Sequence, residues 1–232
     1  VLLEGKVALI AGNATEIGQA TAIAMSVAGA SVVIGDYEID PWLCTIATIR
    51  SRGAEVLFHP TDVTVARAVK ALVAKIATVF GRLDVAFNNT CTNASRVPLA
   101  EQEEFEVVGV IDHNLNGLWL CLKYEIEQML KGEGGAIVNH SSIFGLTGSV
   151  NDAIYVSTKH AVTGMTKAAA LDYAQQGIRV NAVAPSPNFD LMPMGRSVKP
   201  QDVANAIVWL CSDQASFITG HTLPIDGGFT AQ

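Results

Sequence analysis

Residues 6–18 read Lys6-Val-Ala-Leu-Ile-Ala-Gly-Asn-Ala-Thr-Glu-Ile-Gly18. An apolar run ends at a glycine, a short polar turn follows, and an alanine-rich helix is expected over 17–29. A buried parallel strand hands over to a helix in this order, and the helix's first N–H groups can then meet a pyrophosphate. Ser31–Asp36 is a second apolar run ending on a carboxylate. It falls where a ribose-binding acid stands in dinucleotide sites. Such a carboxylate accepts hydrogen bonds from the adenosine ribose and repels a 2′-phosphate. No Arg or Lys stands at 13–17 or 37–40 to hold that phosphate. The expected cofactor is therefore NAD rather than NADP.

Outward from this unit the pattern repeats. Further strands are expected at 55–59, 83–88, 135–141, 179–184 and 222–225. Helices are expected at 40–52, 65–80, 101–112, 114–131, 154–175 and 200–212. Regular alternation implies right-handed crossovers and a mostly parallel sheet with helices on both faces. The expected fold is α/β, a single Rossmann-type doubly wound domain over 1–232. The helix at 114–131 is apolar nearly all round, with Leu115, Leu118, Trp119, Leu120, Leu122 and Ile126. A subunit contact is the favoured reading of its second face, against cover by its own neighbours.

Composition narrows the function classes. The chain has 232 residues, 50% hydrophobic and 16% charged, with net charge −7. That suits a large buried core and disfavours nucleic acid or anionic membrane as main partners. No apolar run is long enough to span a bilayer. The first residues enter a strand and do not read as a signal peptide. Cys44, Cys91, Cys121 and Cys211 form no clip or disulfide framework, which suggests reduced thiols and a cytoplasmic protein. Cys91 is expected to be a buried, inert thiol. The five histidines are scattered, so no metal site is expected.

Tyr155-Val-Ser-Thr-Lys159 puts a phenol and an ammonium on one helix face. A nearby ammonium favours the phenolate and should draw down the phenol's pKa. The phenol could then exchange a proton with an alcohol or carbonyl oxygen. Ser142, in the preceding loop, could hold the same oxygen.

Taken together these residues resemble the short-chain dehydrogenase/reductase family over essentially the whole chain. The matching features are the Gly12–Gly18 loop, Asp62-Val63, Asn88-Asn89, Asn114, Ser142, Tyr155, Lys159, the Arg179–Pro185 strand and the Asp226-Gly-Gly close. The resemblance implies an enzyme acting on CH–OH groups. Tyr155 would be its acid/base. Lys159 would tune Tyr155 and bind the nicotinamide ribose, Ser142 would position the substrate oxygen, and Asn114 would help hold a relay water. The implied cofactor set is Gly12, Thr15, Ile17, Gly18, Asp36, Tyr37, Asp62, Val63, Asn88, Tyr155, Lys159, Pro185 and Asn188. It also implies a small-molecule substrate and a homotetramer or homodimer.

Four positions depart from the family pattern: Glu16, Cys91 and Ser186 replace glycines, and Asp190 replaces a threonine. The substrate segment near 186–196 reads short. These departures keep a second reading open, a cofactor-impaired binding or scaffold subunit. A third is a 3-oxoacyl thioester reductase, against which Asp36 argues because such enzymes generally use NADP.

Overall fold

The computed structural model describes residues 1–187 and 192–232. Seven strands form one sheet: β1 (Val7–Gly12), β2 (Ser31–Asp36), β3 (Val56–Pro60), β4 (Val85–Asn89), β5 (Gly135–His140), β6 (Ile178–Pro185) and β7 (Thr222–Ile225). Their order is β3-β2-β1-β4-β5-β6-β7, and every neighbouring pair is parallel. The helices are α1 (Glu16–Val27), α2 (Leu43–Ser51), α3 (Ala66–Phe80), α4 (Glu104–Ile111), α5 (Gly117–Met129), α6 (Ala153–Tyr173) and α7 (Pro200–Cys211). This is the doubly wound α/β fold expected from the alternation.

The strand pleat sorts the core into two layers. In β1, Val7, Leu9 and Ala11 face the layer shared with α3, α5 and α6, while Ala8 and Ile10 face the layer shared with α1, α2 and α7. The crossover direction reverses between β1 and β4, where Gly12 lies opposite Asn89. The crevice beyond those strand ends is where open α/β sheets bind ligands.

One element differs from expectation. The two helices expected at 101–112 and 114–131 form a continuous rod. α4 and α5 are joined by a π-helical turn, Asp112–Asn116, with Asn114 buried inside it. Single π turns are rare, and they cluster at functional sites. The rod's own neighbours cover Leu118, Leu120, Leu122 and Ile126. An outward set remains, with Phe105 75%, Val108 66% and Trp119 50% exposed. No helix among the described residues is long and apolar enough to cross a membrane.

Candidate active site

The glycine turn is shaped first by its own scaffold. Gly12 has φ +108°, and a Cβ there would stand 2.7 Å from the Asn89 carbonyl oxygen. A Cβ on Gly18 would stand 2.7 Å from Asn89 Nδ2. Only glycine lets the turn close on β4 in this way. Asn89 Nδ2 donates to the Asn13 carbonyl at 2.6 Å and to Thr15 Oγ1 at 2.9 Å. Thr15 in turn caps α1, its hydroxyl accepting from the Gly18 N–H at 3.1 Å. Both Asn89 amide hydrogens are spent, so its oxygen is the acceptor toward His140 Nδ1, 2.7 Å away. His140 therefore carries its proton on Nδ1. Burial, followed by the Lys159 charge, holds its pKa down to about 3, so the ring is neutral.

Asn88 was expected to line the cofactor; period-2 alternation turns its side chain to the other face and leaves its backbone at the strand end. It is fully buried, with Nδ2 donating to Glu125 Oε2 and Asn139 Oδ1, each at 3.0 Å. Asn89, which the cofactor set omitted, faces the phosphate loop. The doublet was visible in the sequence, but which member faces the turn follows only from strand register.

The residues at this end fit a nicotinamide dinucleotide. The N–H groups of Glu16 and Ile17 have no acceptor among the described residues. They begin α1, where an anion is favoured. The Glu16 side chain is exposed and does not fill the turn. Asp36 is clamped: Trp42 Nε1 donates to Oδ2 and the Tyr37 N–H to Oδ1, each at 2.6 Å. Burial raises the Asp36 pKa, and these two bonds, with the Ala14 N–H and the nearby His113, pull it back. The carboxylate keeps acceptor capacity for a ribose hydroxyl. Trp42 is fully buried, whereas the Tyr37 side chain is 70% exposed. Asp62 Oδ1 accepts from the Thr64 N–H and hydroxyl, which fixes the turn after β3. The Val63 side chain is buried in the core beneath Gly117. Pro185 lies at the end of β6. Asn188 and Asp190 lie outside the described residues.

The catalytic candidates meet at the C-terminal ends of β4 to β6. Ser142 precedes a single 3₁₀ turn and accepts from the Phe144 N–H at 3.2 Å. Tyr155 and Lys159 stand on the first turns of α6. Lys159 is fully buried, its Nζ donating to the His140 carbonyl at 2.8 Å and lying 5.5 Å from the Tyr155 ring centroid. Asn114 mimics a strand partner for the loop after β4. Its Oδ1 accepts from the Thr92 N–H at 2.7 Å, and its Nδ2 donates to the Thr92 carbonyl at 2.8 Å. Nδ2 also reaches Thr158 Oγ1, on the helix of Tyr155. Asn114 thus ties the π turn to both walls of the site.

At Tyr155 burial outweighs the ammonium that the Tyr–Lys spacing brings near. Burial is the largest influence and pushes the phenol above its ordinary range, with Cys91 adding to the rise. Ser142, as a hydrogen-bonding group, pulls the other way without offsetting it. The phenol therefore holds its proton at neutral pH, the form needed to protonate a carbonyl oxygen. Cys91 was expected to be buried, and the structure leaves it partly open. It is half-buried, with Sγ 3.7 Å from Tyr155 Oη.

A cavity of about 330 Å³ opens over these groups. Cys91, Ser142, Tyr155 and Ser186 line it, together with Ile17, Phe144 and Pro185. Arg96 and Asp152 are the charged residues among the described lining. Among the described residues no cluster of His, Cys, Asp and Glu could hold a metal.

This site belongs to a known family. The short chain dehydrogenase family model matches residues 6–200, and a model described as enoyl-(acyl carrier protein) reductase matches 188–230. The chain belongs to the short-chain dehydrogenase/reductase family. It is 37% identical to 2,5-dichloro-2,5-cyclohexadiene-1,4-diol dehydrogenase of Sphingobium indicum, over 99% of this chain and 98% of that one. That alignment spans 249 positions, so the relative carries residues this chain lacks. The structure of NAD+-bound xylitol dehydrogenase superposes with TM-score 0.93 at 29% identity, covering 97% of this chain and 99% of that one. ElxO with NADP bound superposes with TM-score 0.92 at 34% identity, covering 98% and 99%. These likenesses support an oxidoreductase that acts on CH–OH groups and uses a nicotinamide cofactor.

Proposed function

We propose that the chain is an NAD-dependent dehydrogenase/reductase interconverting a secondary alcohol and a ketone, with Tyr155 as acid/base. The observation that carries this reading is the Tyr155 phenol beside Ser142 in a cavity adjoining the phosphate turn. The nicotinamide ring, when bound, supplies or accepts the hydride. In reduction Tyr155 gives its proton to the carbonyl oxygen, while Ser142 orients that oxygen. In oxidation Tyr155 takes the proton back, and the Lys159 ammonium nearby favours the phenolate that does so. The apolar lining suits a compact substrate with few charges, such as a ring alcohol of the kind the Sphingobium dehydrogenase is named for.

Asp36, held by Trp42 and Tyr37, favours NAD, because a 2′-phosphate would meet a carboxylate, with no Lys or Arg beside it among the described residues. One Rossmann-type unit with a short substrate segment at 186–196 carries both functions. The exposed Phe105, Val108 and Trp119 on the α4–α5 rod support a homotetramer or homodimer packed through that face. Four free cysteines support a cytoplasmic setting.

Titration of the purified protein with NADH and NADPH tests the reading. NADH binding at least tenfold tighter than NADPH supports it. Failure to bind either would favour the scaffold reading, and a clear NADPH preference would favour the thioester reductase.

A further inference from the structure

Asp152 occupies the N-cap of α6, yet its side chain makes no capping hydrogen bond. An aspartate is among the residues that cap best, so a helix gains stability when it is used. Here the carboxylate turns aside and is only 7% exposed. It pairs with Arg96 from the loop after β4, Nη2 to Oδ2 at 3.1 Å, and the same Nη2 reaches Ser149 Oγ at 3.3 Å. Arg96 and Asp152 both line the catalytic cavity. Asp152 stands three residues before Tyr155, one helical turn away on the same side of α6.

The pair is partly open to solvent, the Arg96 side chain being 55% exposed and that of Asp152 8%. The remaining Arg96 N–H groups and Asp152 Oδ1 have no partner among the described residues. The cavity wall therefore offers donors and an acceptor side by side, with no net charge. A carboxylate on a substrate would gain from Arg96 and lose to Asp152. A hydroxyl or carbonyl oxygen can use either member without that conflict.

Building on the proposed reaction, we infer that Arg96 and Asp152 form a specificity station for a second, neutral oxygen on the substrate, one helical turn from the oxygen that reacts at Tyr155. The substrate class is a compact diol, hydroxyketone or diketone rather than a simple alcohol or a hydroxy acid. The main support is position: Arg96 and Asp152 are the charged residues among the described lining of the cavity that holds Tyr155 and Ser142.

The test compares binding of cyclohexanol, cyclohexane-1,4-diol and 4-hydroxycyclohexanecarboxylate by ligand-observed NMR, without cofactor and with NADH, which forms no reacting complex with an alcohol. The expected result is at least tenfold tighter binding of the diol than of the other two. That preference should fall to within twofold in Arg96→Gln. The double variant Arg96→Ala with Asp152→Ala leaves no unpaired charge and serves as the check on folding; it should lose the preference too. Equal binding of diol and cyclohexanol by the unaltered protein would overturn the inference. So would a preference that survives in the double variant, tighter binding of the carboxylate, or no binding of any of the three. Turnover of the same compounds with NAD+ is read separately. Diol preference without turnover would overturn the proposed reaction and leave the station standing.

Discussion

The Cys91 thiol lies 3.7 Å from the Tyr155 hydroxyl, inside the cavity where the phenol must exchange its proton. The family pattern has glycine at this position, so the contact is a property of this chain. The thiol acts to raise the phenol's pKa. Cys91→Ala should therefore make the phenolate easier to form. The acidic limb of the pH profile for alcohol oxidation should move to lower pH. An unmoved limb would mean that the thiol only fills space. Methanethiolation of Cys91 should block the cavity reversibly, and a Cys44→Ser background removes the other accessible thiol from the readout.

Tyr155→Phe removes the proton carrier and leaves the ring in place. Turnover should fall by roughly 10²–10⁴-fold. NADH affinity should stay within about threefold, because Asp36 and the α1 N-terminus are untouched. A variant that keeps its full rate would discard Tyr155 as the acid/base.

Asp36→Ala removes the carboxylate that repels a 2′-phosphate. The preference for NADH over NADPH should drop by about tenfold, roughly 1.4 kcal/mol. Trp42→Phe keeps the buried ring but loses the 2.6 Å bond to Asp36. Stability should fall by about 1.5–3 kcal/mol, the usual worth of a hydrogen bond to a charged group. Paired denaturation and cofactor titrations separate the two effects.

Glu125 is fully buried, and burial raises its pKa to about 7 against an ordinary 4.5. Among the described residues its Oε1 and Asn88 Oδ1 are both buried acceptors without a partner. A proton on Glu125 supplies the missing donor. The folded chain therefore holds a proton that the unfolded chain releases between pH 4.5 and about 7. Stability from this group is full below 4.5 and declines as pH rises to 7. His140, held neutral down to about 3, works in the opposite sense, and stability is lost as pH falls below 6.5. From 4.5 to 6.5 the two slopes oppose each other. Glu125→Gln supplies a permanent N–H donor and should unmask the His140 slope. Its stability should rise with pH up to about 6.5 and level off above. It should exceed the parent by roughly 1–3 kcal/mol at pH 8. Urea melts across pH 4–8 would show this, and parallel profiles for the two proteins would count against it.

The sequence made the larger architecture readable because the strands are apolar runs and their glycine stops are unambiguous. Tyr155, Lys159 and Ser142 were readable because helix spacing and loop position come straight from the order of residues. Other features depend on how elements meet. Asn88 and Asn89 look alike in sequence, and only the pairing of β4 with β1 decides which reaches the phosphate turn. Trp42 reads as core, and it is core, but its indole N–H also aims Asp36. The Lys159 charge suggested an acidic Tyr155, while the depth of burial, which is a tertiary quantity, reverses the sign. The π turn left no local mark, since its residues are compatible with ordinary helix.

That π turn also sets a rule for length change in the chain. It accommodates one residue more than an α-helical turn would, which advances everything downstream by about 100°. Losing a single residue from 112–116 would let an unbroken α-helix form, a local gain. Glu125 would then swing away from Asn88, and Asn114 would leave Thr92. Drift by deletion is barred here although each residue taken alone looks replaceable, and the rod can shorten only by losing the site it supports.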